Sequence, residues 1–162
     1  MRRRTMLCAA LWAVMAAAAG ADGGERMNVH ASLSVDARHD KVLVTFRIEN
    51  RGERRVGLPR EIASDAELTH RLFDLREHPG DAEVPYTGRM VKRGPLGLDD
   101  YVELAPHSAH THTIDITHAY AFKPGTHTYV IRYEGGALAD VRQLESAADI
   151  RTDAVMFSHA ER

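Results

Sequence analysis

The chain has 162 residues, 21 of them basic and 23 acidic, for a net charge of −2 at pH 7. That balance excludes the strongly basic footprint of a nucleic-acid binder. A single cysteine in the whole sequence excludes a disulfide framework.

Arg2, Arg3 and Arg4 precede an apolar run from Met6 to Ala19, and Ala19-Gly20-Ala21 forms a small-x-small cleavage site, with Ala17-Ala18-Ala19 as a second choice. This pattern predicts a cleavable secretory signal peptide over residues 1–21, too short to span a bilayer. Its loss removes Cys8 and three arginines, making the net charge more negative by three, about −5. The mature protein is then expected to be periplasmic or extracellular, without membrane association and without thiol chemistry. Residues 22–27 are a polar, glycine-rich lead-in, and residues 28–160 have the length of one domain.

In chain order, Val29 to Val35 alternates apolar and polar residues, as a half-buried strand does. Lys41 to Asn50 is the clearest strand: Val42, Val44, Phe46 and Ile48 share one face, and Asn50-Arg51-Gly52 closes it with turn chemistry. Arg54 to Pro59 is a short strand. Glu61 to Leu68 reads as a loop with at most one helical turn, for which Ser64 and Glu67 form a capping-box pair. Thr69 to Glu77 and Ala82 to Thr87 flank His78-Pro79-Gly80-Asp81 and read as a hairpin. Pro85 confines the second of these strands to an edge. Asp100 to Leu104 and His110 to His118 are further strands. Lys123-Pro124-Gly125 turns the chain into Thr126 to Glu134. Gly135 and Gly136 open a polar connection through Ser146, and Ile150 to Ser158 supplies the last strand. Seven to nine short strands with regular turn signals predict an all-β fold, an immunoglobulin-like antiparallel β-sandwich without a disulfide.

Histidine is abundant, at ten residues. His110 and His112 repeat at the two-residue period of a strand and so point the same way. Two imidazoles at that spacing can share a transition-metal ion, with His107, His118 and His127 nearby in sequence. A third ligand is not identifiable, and no cofactor is expected. No H-E-x-x-H helix, G-x-S-x-G elbow, P-loop or G-x-G-x-x-G turn occurs, and Ser108 has no recognisable triad. No catalytic role can be filled, and the expectation is a non-enzyme.

The most distinctive stretch runs from Val84 to Pro95. Gly88 and Gly94-Pro95 punctuate it. Between them Arg89, Lys92 and Arg93 carry charge, Met90 and Val91 are apolar, and Pro95 limits freedom. A solvated charged loop is the ordinary fate of such a run. The mixture of cations with apolar residues on a restrained loop also suits insertion into a partner's cleft, which makes Arg89, Met90, Val91, Lys92 and Arg93 the candidate contact residues.

Val84-Pro85-Tyr86-Thr87-Gly88, then Val91-Lys92-Arg93, then Asp100-Tyr101-Val102-Glu103-Leu104-Ala105-Pro106 resemble the N-terminal, non-catalytic domain of bacterial deuterolysin-like zinc proteases, the aspzincins or peptidyl-Lys metalloendopeptidases. The likeness covers roughly residues 28 to 158. In that family the domain precedes a catalytic domain bearing H-E-x-x-H, which this sequence lacks. The resemblance therefore implies a stand-alone prodomain-like module whose partner is an aspzincin-type metalloendopeptidase, acting as inhibitor or folding partner. The family's preference for lysine implies that Lys92 meets the lysine-reading pocket, with Arg89 and Arg93 at its rim. Two other readings stay open: a metal- or ligand-binding protein using the His110/His112 strand, and a β-sandwich interaction domain with no protease link.

Overall fold

Every second residue from Val42 to Ile48 must leave water if the Lys41–Asn50 strand is to be stable, and Val42, Val44, Phe46 and Ile48 are fully buried. The computed structural model describes residues 27–38 and 40–161. The signal peptide expected at 1–21 and nearly all of the expected 22–27 lead-in lie outside the described residues. Nine strands are present among those described: β1 (Val29–Arg38), β2 (Lys41–Asn50), β3 (Val56–Pro59), β4 (Phe73–His78), β5 (Tyr101–Leu104), β6 (Ser108–Asp115), β7 (Gly125–Leu138), β8 (Ala147–Arg151) and β9 (Val155–Glu161). One helical turn, α1 (Arg60–Ala63), follows β3, and a 3-10 turn at Leu98–Asp100 leads into β5.

All strand pairings in the ladders are antiparallel. One sheet has the order β1-β2-β6; the other has the order β4-β7-β3-β5, with β8 and β9 also paired to β7. The long β7 serves two sets of neighbours. Its first half lies between β4 and β9, and its second half pairs with β8 and touches β3. Phe46 of β2 joins the two sheets, stacking on Phe73 of β4 (centroids 5.6 Å apart) and meeting Tyr133 of β7 edge-on at 5.1 Å. The result is an immunoglobulin-like antiparallel β-sandwich with no disulfide, as its alternating strands and turn signals predict. Buried Asn50 ties its loops together: its amide donates to the carbonyls of Arg54, Leu104 and Ala105 at 2.7, 3.2 and 3.1 Å.

Several local expectations change. The helical turn precedes Ser64, so Ser64 ends it and its amide donates to the carbonyl of Arg60 at 2.7 Å. Ala82 to Thr87 is no continuous strand. Val84 donates to Leu75 of β4 at 2.9 Å, but beyond Pro85 the chain turns to Ala119–Ala121, where Thr87 donates to Ala119 and Ala121 donates to Pro85, each at 2.9 Å. Proline has no N–H with which to extend the first ladder. Gly135 and Gly136 lie within β7 rather than opening a connection. The last strand is two strands, broken at Thr152, whose hydroxyl accepts from the Tyr133 amide at 3.0 Å as the chain passes from β8 to β9.

Candidate functional site

The sequence from Arg89 to Leu96 forms no strand or helix, and all eight residues are exposed. Six large hydrophobic side chains are exposed among the described residues, and four sit in or just after this loop: Met90 (74%), Val91 (38%), Leu96 (46%) and Leu98 (45%). Scattered exposed apolar residues need no explanation, but such a concentration does. The pattern Gly88…Gly94-Pro95 thus yields the displayed loop expected of it, with Leu96 and Leu98 enlarging its apolar part.

The loop's backbone is fastened at intervals. At its entry, Thr87 and Gly88 both donate to the Ala119 carbonyl, at 2.9 and 3.1 Å. The Tyr86 hydroxyl reaches across Gly88 to donate to the Arg89 carbonyl at 2.8 Å, and its ring meets Tyr120 edge-on at 5.4 Å. Burial pushes the Tyr86 phenol above its ordinary range, so it remains a donor at neutral pH. In mid-loop, the Val91 amide donates to the Thr69 carbonyl at 2.9 Å. Farther on, the Arg93 guanidinium donates to the Thr69 hydroxyl at 2.8 Å and meets the Asp65 carboxylate at 3.4 Å. Arg93 is therefore paired within the molecule, which changes its expected place at a partner's rim. Arg89 and Lys92 have no ion-pair or side-chain hydrogen-bond partner among the described residues.

A shallow cavity of about 420 Å³ opens between α1 and the loop, lined by Arg60, Asp65, Asp100 and the segment from Arg93 to Leu96. Its acids are already engaged. Asp65 lies between Arg93 and Arg60, the latter at 3.7 Å, and Asp100 accepts from the Gly97 amide at 2.8 Å.

His110 and His112 do project from the same face of β6, as their spacing predicts. They point inward, toward α1 and the segment after it. The Nε2 of His110 donates to the Ala63 carbonyl at 2.7 Å, and that of His112 donates to the Asp65 carbonyl at 2.9 Å. These are carbonyls at and beyond the end of a helical turn, the groups such a turn leaves without internal partners. While those bonds hold, neither Nε2 is free for a metal ion. The other histidines disperse: His107 pairs with Glu53 at 2.9 Å, and His127 bonds the Pro124 carbonyl at 3.0 Å. Ser108 donates to the Ala105 carbonyl at 2.6 Å and closes a turn. Among the described residues, no group of three or more His, Cys, Asp or Glu is placed to hold a metal ion.

The fold also connects two features that are separate in sequence. The Asp65 backbone is held by His112, and the Asp65 side chain holds Arg93. Asp65, Thr69 and Tyr86 carry no mark in the sequence that sets them apart as supports of the loop. Leu96 and Leu98 follow Pro95 in a turn-rich stretch, and that position was the available signal for their exposure.

No family model and no curated protein matches the chain. Among solved structures, the chain is similar to one described as the X-ray structure of Northeast Structural Genomics Consortium target SoR45. The identity is 16% and the TM-score 0.39, over 83% of this chain and 87% of that one.

Proposed function

We propose that this protein is an exported, non-catalytic binding module that presents the loop from Gly88 to Leu98 to a zinc metalloendopeptidase, as its inhibitor or folding partner. The observation that carries the binding part of this reading is the loop itself. Met90, Val91, Leu96 and Leu98 stand exposed beside the unpaired cations Arg89 and Lys92, on a backbone fastened at both ends. A restrained loop loses little conformational freedom on binding, so more of its contact energy is realised as affinity. Exposed apolar side chains supply the contact area, and the adjacent cations set on-rate and specificity. The choice of a zinc metalloendopeptidase rests on the resemblance of residues 28 to 158 to the aspzincin N-terminal domain. The arginine-rich leader and its small-x-small site support export to the periplasm or beyond.

The test is an assay of a lysine-specific aspzincin titrated with the purified mature protein, together with the recovery of active enzyme when the two are refolded in one mixture. The proposal predicts either stoichiometric inhibition or a raised yield. If both activity and yield are unchanged at a several-fold excess, the protease reading is wrong.

A further inference from the structure

We infer that the loop divides its work along its two edges: Met90 and Lys92 contact the partner, while Arg93, held through Asp65 by His112, positions them. This rests on the protein-binding reading above and deepens it. The contacts made by the segment separate its side chains. Val91 donates its amide to Thr69, and its side chain, though exposed, shows about half the fraction that Met90 shows, 38% against 74%. Arg93 turns the same way, onto Thr69 and Asp65. Met90, beside Val91, is 74% exposed, and Lys92, between Val91 and Arg93, has no partner among the described residues.

The anchored edge has its own support. Asp65 accepts from Arg93 on one carboxylate oxygen and faces Arg60 on the other, and its backbone carbonyl is held by His112 of β6. The chain His112–Asp65–Arg93 thus links the three-stranded sheet to the loop. It gives His112 a structural reason to be an imidazole, a donor that reaches a carbonyl from a strand.

The partner such an edge fits is a protein cleft with an apolar floor and a carboxylate beside it. Met90 is flexible and polarizable and suits the floor. Lys92 is a compact cation on a long stem and suits the carboxylate. The loop's two unpaired cations stand out on a chain of net charge −2, so the attraction is local to the loop. That local character favours an acidic cleft over an anionic lipid surface, which would draw on a broad basic face.

The experiment measures two quantities on the full chain and on its Met90→Ala, Lys92→Ala, Arg93→Ala, Arg93→Lys and His112→Ala variants: exchange of the Val91 amide, and affinity for a lysine-specific zinc metalloendopeptidase. Met90→Ala and Lys92→Ala should each weaken binding about tenfold and leave Val91 exchange unchanged. Arg93→Ala and His112→Ala should speed Val91 exchange severalfold and weaken binding as a consequence, with Arg93→Lys recovering part of both. If Arg93→Ala abolishes binding while Val91 exchange stays at the wild-type rate, Arg93 is a contact and the division is overturned. Wild-type affinity in both Met90→Ala and Lys92→Ala overturns the contact assignment. Failure of the wild-type chain itself to bind rejects the protease reading and, with it, the contact pair, whereas the exchange arm still decides the positioning role. Sedimentation with phosphatidylglycerol vesicles that is lost in Lys92→Ala would replace the protein partner by a membrane.

Discussion

Tyr120 and Tyr133 are both buried tyrosines, and they differ in what their hydroxyls find. The Tyr120 hydroxyl accepts from the Phe73 amide at 2.9 Å and donates to the Phe73 carbonyl at 3.2 Å. Burial pushes its phenol up to about 12, against those hydrogen bonds. The Tyr133 hydroxyl is buried without a hydrogen-bond partner among the described residues, and burial raises its phenol further still. Removing one partner of a buried hydrogen bond leaves the other unsatisfied, at about 1–3 kcal/mol, whereas removing an already unsatisfied group carries no such penalty. Chemical denaturation should therefore show Tyr120→Phe destabilised by that amount and Tyr133→Phe as stable as wild type, or more so. A Tyr133→Phe loss above about 1 kcal/mol would mean that its hydroxyl is bonded in solution.

At the scale of elements, one local device recurs. In Tyr86-Thr87-Gly88 and again in Tyr133-Glu134-Gly135, the tyrosine ring lies over the glycine two residues on. A Cβ on Gly88 would stand 2.7 Å from the Tyr86 hydroxyl oxygen, and one on Gly135 would stand 2.1 Å from that of Tyr133. Glycine inside a strand marks such a close approach. The Gly135-Gly136 pair reads as a strand end in sequence because turn composition and ring-covered glycine look alike there, yet β7 runs through to Leu138. By contrast, β2 is legible residue by residue, because its alternation is fixed by burial of one face. The extent of the exposed loop was legible from its glycine and proline punctuation. Its fastening was not, because Arg93 and Asp65 are 28 residues apart and His112 and Asp65 are 47 apart, with nothing local to pair them. The two glycines should respond differently to alanine. Gly135→Ala forces Tyr133 out of the core and should cost roughly 1–3 kcal/mol of stability, as overpacking does. Gly88→Ala displaces the Tyr86 hydroxyl from the Arg89 carbonyl at the surface. It should leave the melting temperature nearly unchanged while speeding exchange at the loop amides. Equal thermal losses in the two variants would show that the Tyr86 contact supports the fold rather than the loop.

Acid stability is a property of the whole molecule, because both sheets carry carboxylates held below their ordinary range, Asp74 in the larger and Asp115 and Glu49 in the smaller. Asp74 of β4, in the larger sheet, is partly buried, which works to raise it. Hydrogen bonds from Arg132 at 2.7 Å and Arg76 at 3.0 Å prevail and lower it. Asp115 ends β6 in the smaller sheet. Burial again works upward, but the amide and hydroxyl of Thr117, at 3.0 and 2.5 Å, lower it. That Thr117 hydroxyl also accepts from the Val42 amide at 2.9 Å, so the carboxylate organises the start of β2. A carboxylate depressed in the folded state binds its proton more weakly there than in the unfolded chain. Its contribution is complete above the unfolded value, near 4, and is lost as pH falls through the lower folded value. The unfolded chain takes up more protons in that window, so stability must fall with falling pH. Melting curves at intervals from pH 7 to the acid limit of folding should show this decline. Asp74→Asn and Asp115→Asn should each be less stable than wild type at pH 7, and each difference should shrink below pH about 4 as the wild-type carboxylate becomes protonated. A difference that persists undiminished under acid would mean that the carboxylate's charge is not what stabilises the fold.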